Sequence, residues 1–534
     1  MNISFNKKFF FFLSLCFLIY FQGVIKLPVM DRDEARFATA SKTMLIDKDF
    51  IDIKMVHEKR YKKPIGIYWS QTLMNSFFGN YPYDKIWIYR LPSILGIFIG
   101  ILLIYTFIRK IENESTAFLT AFFLIFSFLA ISEIHQSKTD GLLFLFIGIC
   151  NLIIYKLISV KKISLHYKLL FWIAMSFGIL IKGPIIIIFT ICPLLIFSIV
   201  KKINFIKNIW SNFGFVLLIL ITIPWFVMIN IKSGGAFWYE SIGNDLLNKV
   251  KSGQESHGFP PGYYSLLLFI FFWPGSVFII NLFLQTKDKY QDIIKKDDFS
   301  FYLIISFGFP LIIFELIPTK LPHYIFPSYL PLSILVAKSI VDNNFNKKVL
   351  KFSILPMLLY PITIISLITF SIYQFSEFDF AYVFILILLS SLSIFLFKSN
   401  YKKKVKSVLI FSGCFQVFTY LTLIFFLLPR MEVLWISEKI NKIISIHESS
   451  VEKIFTVGFN EPSLLFLTSH KASNSSSVLG YKKGQEEKIL LIVTEKIDEA
   501  VINNENFSDF SLIEKFSGFN YSRGENVIFK VYKN

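Results

Sequence analysis

Apolar residues dominate this chain in long runs of about 16 to 23, separated by polar loops, rather than in the alternation typical of half-buried strands. A helix of about 20 apolar residues is long enough to cross a lipid bilayer. The pattern therefore predicts an all-α polytopic membrane protein with about thirteen transmembrane helices. These segments are residues 9–27, 86–108, 116–132, 141–158, 168–181, 184–200, 212–231, 262–283, 299–317, 325–340, 350–372, 379–397 and 405–428.

Lysine and arginine are concentrated in alternate loops between these segments. Short cytoplasmic loops of membrane proteins carry this excess of positive charge. The distribution predicts a cytoplasmic N-terminus, and an odd number of spans then puts the C-terminus on the outer side. On the same outer side lie two long loops, residues 28–85 and 232–261.

The pattern changes after residue 428. Residues 429–534 are polar, with a helical period near 432–446 and short strand-like runs at Lys453–Val457, Leu464–Thr468, Ile489–Thr494 and Val527–Tyr532. Alternating helix and strand signals predict a small α/β domain outside the membrane. We therefore expect a transmembrane domain at 1–428, with both outer loops contributing to its site, and a C-terminal periplasmic domain at 429–534.

The amino-acid composition excludes several classes of protein. The 534 residues are 54% hydrophobic and only 17% charged, which excludes a soluble globular enzyme. The four cysteines lie inside apolar runs and form no CxxC pair, so neither a disulfide scaffold nor a cysteine zinc site is expected. The net charge of +18 resides mostly in the loop lysines and does not indicate a nucleic-acid partner.

The densest group of charges follows the first apolar segment. Three carboxylates and two guanidinium groups lie within six residues, from Asp31 to Arg36. One interpretation is a solvated loop with local ion pairs, and the other is a carboxylate held near the membrane as a general base. Further along, Lys62 and Lys63 precede Pro64 and aromatic residues, which suits an interfacial anchor or a phosphate site.

Other ionisable residues stand at the ends of predicted spans, and the predicted topology brings them to the outer face. Ionisable groups in such positions are costly to hold and tend to line functional cavities. We therefore predict one outer cavity that offers two acids, several cations and two histidines. Its residues would be Asp33, Asp140, Lys63, Arg90, Lys182, Lys320, His257 and His323.

Acids that face cations suit a reaction in which a phosphate leaves and a hydroxyl attacks. One carboxylate would take the hydroxyl proton, and the cations would stabilise the charge that develops on the phosphate. No P-loop, dinucleotide-binding glycine motif, GxSxG or HExxH occurs in the sequence. Two other classes stay open: a secondary transporter with a charged outer cavity, and a structural or sensor protein whose outer domain binds a ligand.

Taken in order, these motifs resemble those of the GT-C membrane glycosyltransferases, in particular the bacterial aminoarabinose-transferase and protein-O-mannosyltransferase-like group. The resemblance rests on Asp33-Glu34-Ala35-Arg36-Phe37-Ala38, Lys62-Lys63-Pro64 with Tyr68-Trp69, Arg90-Leu91-Pro92-Ser93, Lys182-Gly183-Pro184 and Lys320–Tyr324. In the C-terminal part it rests on Asn460-Glu461-Pro462-Ser463 and Tyr521-Ser522-Arg523-Gly524.

The resemblance implies a GT-C fold and an inner-membrane enzyme. Such an enzyme transfers a sugar from a polyprenyl-phosphate donor to a lipid (lipid A-like), glycan or protein acceptor. It implies Asp33 as the catalytic base and Asp140 as a second acidic site residue. The substrate-binding residues that it implies are Glu34, Lys63, Arg90, Lys182, His257, Lys320, His323 and Tyr324.

One departure from the group concerns the metal. Aminoarabinose transferases have a glutamate before Lys-Pro-Pro, whereas this chain has Lys62 before Lys63-Pro64-Ile65. The glutamate that a zinc site of that kind would need is therefore missing. We predict no particular cofactor, and a divalent metal ion stays open.

Overall fold

The computed structural model describes residues 6–251, 253, 258–342, 353–402, 404–474, 488–497 and 510–534. Within these ranges, ten helices are long and apolar enough to cross a membrane. They are Lys7–Lys26, Ile86–Ile111, Asp140–Val160, Leu165–Lys182, Asn212–Ser233, Asp298–Leu316, Pro322–Val341, Ile354–Phe375, Phe380–Tyr401 and Val405–Arg430.

The other predicted spans are broken or short. Glu114–Phe126 and Phe128–Ile134 meet at 60°, and Tyr263–Phe271 and Gly275–Asp288 meet at 114°, so up to twelve spans result if each bent pair counts as one. Ile185–Lys201 is a shorter apolar helix. It follows the predicted break at Lys182-Gly183-Pro184, where Gly183 has φ +69°, a conformation that glycine adopts without strain. The prediction of an all-α polytopic fold is confirmed.

Close helix packing fixes the start of the helix Asp140–Val160. A Cβ atom added to Gly141 would lie 2.6 Å from the Cα and carbonyl oxygen of Ser93, in the helix Ile86–Ile111. Only a residue without a side chain permits this approach of two backbones. Asp140, the neighbour of Gly141, therefore has a position set by the helix pair.

The outer loops fold into helices and a hairpin. Residues 28–85 contain the helices Asp33–Asp47 and Gly66–Phe78 and the strands β1 (Lys54–Met55) and β2 (Glu58–Lys59). The second loop contains Ala236–Trp238, the π-helical segment Tyr239–Leu247 and Asn248–Lys251. A hydrophobic cluster that includes Phe37, Tyr61, Tyr68, Trp225 and Phe237 joins the two loops.

The C-terminal region forms a sheet with its own hydrophobic core. Its strands are β3 (Lys453–Val457), β4 (Ser473–Asn474), β5 (Ile489–Thr494), β6 (Ser511–Asn520) and β7 (Glu525–Lys533), in the order β4-β3-β5-β7-β6. The pair β3–β5 is parallel, and β5–β7 and β6–β7 are antiparallel. The helix Ile436–His447 packs against this sheet.

One predicted strand in this region is wrong. Residues 464–468 belong to the helix Pro462–Thr468. Pro462 stands at the first turn, where its fixed φ starts a helix, and the run of Leu464 to Leu467 consists largely of good helix formers. Strand β6 was not predicted.

The C-terminal region docks on the turn that precedes Asp33. The Asp31 carboxylate accepts a hydrogen bond of 3.0 Å from the Ser463 backbone N–H, and the Asp31 backbone N–H donates to the Tyr521 hydroxyl oxygen at 2.7 Å. The Lys42 ammonium donates to the Phe466 carbonyl oxygen at 2.7 Å. The docking therefore reaches the segment that carries the predicted base.

Candidate active site

Six segments of the transmembrane and outer-loop region enclose a cavity of about 180 Å³. Its wall combines the start of the helix Asp33–Asp47, the loop 60–64, the start of the helix Asp140–Val160 and the break after Lys182. Residues 241–250 and 314–324 complete it. Residues almost 300 positions apart thus meet in one place, as the distribution of polar residues predicted.

Asp33 faces this cavity from the first turn of its helix, where the helix dipole favours a negative charge. Arg32, with φ 66°, turns the chain into the helix. Burial raises the pKa of the Asp33 carboxyl, but the charges of Lys138 and Arg60 more than offset it, so the pKa lies below its ordinary value. Asp33 is therefore ionised at neutral pH and free to accept a proton.

Asp140 and Lys182 form an ion pair in the cavity wall. The distance from Lys182 Nζ to Asp140 Oδ1 is 2.6 Å, and the ammonium also lies 5.3 Å from the centre of the Tyr324 ring. Lys138 forms a second buried pair with Glu133, at 3.0 Å. The cavity wall therefore contains lysines whose ammonium groups are held by carboxylates.

Lys63 is held by a residue of the second outer loop. Its Nζ lies 2.5 Å from Oδ2 of Asp245, and the Lys249 ammonium lies 2.7 Å from Oδ1 of the same carboxylate. Burial lowers the pKa of Lys63 to about 8, with Asp245 opposing this shift. The two lysines therefore converge on one anionic position.

His323 and Tyr324 also line the cavity, so six of the ten predicted site residues meet there: Asp33, Asp140, Lys63, Lys182, His323 and Tyr324. His257 lies outside the described residues. Four further charged residues line the cavity and were not predicted from the sequence: Arg60, Lys138, Asp245 and Lys249. Lys138 could have been found from its position beside Asp140, whereas Asp245 lies in a long loop whose folding the local pattern does not reveal.

Glu34 and Arg90 do not reach the cavity, contrary to the prediction. The guanidinium donates to both carboxylate oxygens of Glu34, at 2.8 and 2.7 Å, and to the carbonyl oxygens of Val24, Leu27 and Pro28. All five N–H donors of Arg90 are thereby used, and the side chain is fully buried. No donor is left for a substrate, so the pair has a structural role.

Lys320 is a second correction. Its ammonium donates to the carbonyl oxygens of Phe314, Glu315 and Ile317, at 3.1, 2.6 and 2.6 Å. These carbonyls end the helix Asp298–Leu316 and lack partners within it. Lys320 therefore caps this helix, while its neighbours Thr319 and Leu321 line the cavity.

The sequence leaves open whether the cavity holds a divalent metal ion. Among the described residues, no three side chains of His, Cys, Asp or Glu come together in an arrangement that could hold a metal ion. Asp140 and Asp245 are instead paired with lysines, and Asp33 lies 3.9 Å from the Arg36 guanidinium. These residues do not fit a resident metal, and we derive no step through one.

A larger cavity of about 1400 Å³ adjoins the first. It lies between the outer loops and the C-terminal region, and Arg36, Arg60 and Lys62 line both cavities. Its wall carries six cationic side chains, Arg32, Arg36, Lys59, Arg60, Lys62 and Arg523, against the three glutamates Glu58, Glu240 and Glu461. The larger cavity therefore favours an anionic occupant.

Sequence comparisons find related proteins. Residues 62–228 match the family described as dolichyl-phosphate-mannose-protein mannosyltransferase. An undecaprenyl phosphate-alpha-4-amino-4-deoxy-L-arabinose arabinosyl transferase of Pseudomonas fluorescens is 23% identical over 58% of this chain and 55% of its own length. The corresponding protein of Wigglesworthia glossinidia brevipalpis is 27% identical over 60% of this chain. The chain matches little more than half the length of these relatives.

A solved structure shares the fold over nearly the whole chain. ArnT from Cupriavidus metallidurans bound to undecaprenyl phosphate superposes with a TM-score of 0.73 at 15% identity, covering 97% of both chains. Its apo structure gives a TM-score of 0.72. The resemblance predicted from the motifs is confirmed: this chain is a multi-pass membrane protein with the GT-C fold, similar to the aminoarabinose transferases.

Proposed function

We propose that this chain is a glycosyltransferase that moves a sugar from a polyprenyl-phosphate donor to an acceptor at the outer face of the inner membrane. The observation that carries the proposal is the cavity, in which the ionised Asp33 faces the lysines of the wall. The similarity to transferases named for an undecaprenyl-phosphate sugar supports the donor class. The sugar, a pentose or a hexose, stays open.

In the proposed reaction, the acceptor hydroxyl attacks the anomeric carbon of the sugar while its proton passes to the Asp33 carboxylate. The bond between that carbon and the phosphate oxygen breaks, and the polyprenyl phosphate leaves with the electron pair. Lys63 and Lys182 would stabilise the charge on the leaving phosphate. Asp140 would hold the Lys182 ammonium in place through their 2.6 Å pair.

Donor binding would also strengthen the base. Cations around the cavity lower the pKa of Asp33, and a bound phosphate would partly neutralise them. The pKa of Asp33 would then rise towards neutral pH, where a general base works best. Asp33 would thus become a competent base when the donor is in place.

The larger cavity supports an anionic acceptor, such as a phosphorylated lipid headgroup of the lipid A type. It opens towards the C-terminal region and shares Arg36, Arg60 and Lys62 with the donor cavity. An acceptor there would approach Asp33 past the shared residues Arg36, Arg60 and Lys62. Glycans and proteins that carry negative charge are the other acceptors compatible with this surface.

The proposal is tested by transfer in proteoliposomes. Mass spectrometry of envelope lipids and glycans from cells with and without the protein identifies the sugar, which is then supplied as a labelled undecaprenyl-phosphate donor. The wild type should transfer the label, and Asp33→Asn should lose at least about a hundredfold in rate. Asp47→Asn, at the other end of the same helix, should keep the wild-type rate.

Absence of transfer by the wild type with every donor would contradict the proposal, and solute uptake by the same vesicles would support the transporter class. The proposed orientation has a separate test. A cysteine at Asn80 should react with an impermeant thiol reagent in spheroplasts, and one at Ser164 should not. The opposite pattern would contradict the outer location of the cavity.

A further inference from the structure

Asp245 is a charged residue of the cavity that the proposed chemistry does not use. Its carboxylate is buried and bridges two lysines, with one oxygen 2.5 Å from Lys63 Nζ and the other 2.7 Å from Lys249 Nζ. The two partners come from different loops, since Lys63 follows the hairpin β1–β2 and Lys249 follows the π-helical segment. A single carboxylate thus fills a site built by two ammonium groups.

Two ammonium groups that converge in a buried place repel each other unless an anion lies between them. A carboxylate presents two oxygens to such a pair, and so does a phosphate. Lys63 is also the residue to which the proposed function assigns the donor phosphate. The position of the Asp245 carboxylate is therefore chemically equivalent to that of a bound phosphate.

We propose that Asp245 occupies the donor phosphate site in the empty protein, and that the donor must displace it from Lys63 and Lys249 to bind. The inference rests on the proposed function and adds two roles to it. Lys249 becomes a phosphate-binding residue, and Asp245 becomes an internal competitor that keeps the site closed to uncharged lipids.

The segment that carries Asp245 is suited to move. Residues Tyr239–Leu247 form a π-helix, a rare conformation that occurs often at functional sites. Several of its apolar side chains are exposed, including Tyr239 at 69% and Ile242 at 41%. Little apolar burial therefore opposes the displacement, and the two ion pairs are the strong contacts that the donor replaces.

The first test measures the affinity of the purified full-length protein in nanodiscs for undecaprenyl phosphate. Asp245→Asn keeps the shape of the side chain and removes its charge, so the lipid no longer competes with an internal anion. We expect binding about tenfold tighter than in the wild type, a change of about 1.4 kcal/mol. Asp245→Glu, which keeps the carboxylate, should bind as the wild type does.

Asp292→Asn is the matched control. Asp292 also pairs with a lysine four residues later, Lys296, but at an exposed site outside the cavity. Its substitution should leave the affinity unchanged. In the Asp245→Asn background, Lys63→Met should abolish the gain, because the phosphate then loses one of its two cations.

Equal or weaker binding of undecaprenyl phosphate by Asp245→Asn would overturn the inference, since Asp245 would then be neutral or would orient the lysines for the lipid. If no form of the protein, including the wild type, binds the lipid, the proposed function itself fails and the inference falls with it. The two failures are therefore distinguishable.

A second test needs no substitution. Hydrogen exchange of residues 239–251 in the wild type should change when undecaprenyl phosphate is added, and it should not change with undecaprenol, the uncharged alcohol of the same chain length. An equal change in exchange with both lipids, or no change with either, would overturn the proposed displacement of Asp245.

Discussion

Glu34 and Asp33 are adjacent acids, of which Asp33 lines the cavity and Glu34 pairs with the buried Arg90, and substituting each in turn separates chemistry from structure. Glu34→Gln replaces one carboxylate oxygen by an amide group without a change in size. The carboxylate accepts two hydrogen bonds from Arg90 and two from the backbone N–H groups of Met30 and Ser137. The variant therefore leaves a buried guanidinium without its counter-ion.

The expected loss of stability follows from the burial of the Arg90–Glu34 ion pair. The side chains of Arg90 and Glu34 are 0% and 1% exposed, and removal of one partner from such a pair costs about 3–5 kcal/mol. Three of the five N–H donors of Arg90 keep their carbonyl partners, so we expect the lower end, about 3 kcal/mol. With an unfolding entropy of about 2 cal/mol/K per residue, the unfolding midpoint should fall by about 3 °C.

The assay is thermal unfolding of the purified protein in detergent, followed by tryptophan fluorescence, together with the affinity for undecaprenyl phosphate. Glu34→Gln should lower the midpoint and leave the affinity of the folded protein unchanged. Asp33→Asn, whose side chain is 45% exposed, should lower the midpoint less than Glu34→Gln does. An unchanged midpoint with a weakened lipid affinity in Glu34→Gln would refute the structural role and return Glu34 to the substrate site.

Two further predictions concern the helix cap and the docking of the C-terminal region. Lys320→Met should destabilise the protein by about 2 kcal/mol, because three carbonyl groups at the helix end lose a charged donor. The affinity for undecaprenyl phosphate should stay unchanged. Reduced affinity at an unchanged unfolding midpoint would contradict the capping role of Lys320. Burial raises the pKa of Asp31 to about 6, so the docked state favours the protonated acid, and its contribution to stability is lost as the pH rises from about 4 through 6. Asp31→Asn should therefore unfold at a higher temperature than the wild type at pH 7 but not at pH 4, and a constant difference would contradict the linkage.

The sequence predicted the membrane fold well because each apolar run carries its own signal. Length and hydropathy are local properties, so ten of the thirteen predicted spans appear as single helices, and the break at Gly183 coincides with two helix breakers. The secondary structure of residues 464–468 was harder to predict, because a short apolar run fits a strand or a helix equally well. Pro462, in the first turn, favours the helix that the structure shows.

Charged residues near the ends of spans predict that a cavity exists, but they do not show which of these residues line it. Lys182 and Lys320 look alike in sequence, because each follows an apolar span and stands beside a proline or glycine turn. What separates them is the group that each ammonium meets, the Asp140 carboxylate in one case and helix-end carbonyls in the other. Such partners are set by tertiary packing. The role of Asp245 could not be predicted from the sequence for the same reason.

The measurement that tests the central claim most directly is the position of the lipid itself. A photoreactive undecaprenyl phosphate, with the reactive group next to the phosphate, is cross-linked to the protein in membranes, and the labelled peptides are identified by mass spectrometry. The account predicts labels in the segments that enclose the smaller cavity, residues 33–37, 60–64, 138–143, 182–185, 241–250 and 314–324, which excess unlabelled lipid suppresses. Labels confined to other parts of the chain would contradict it.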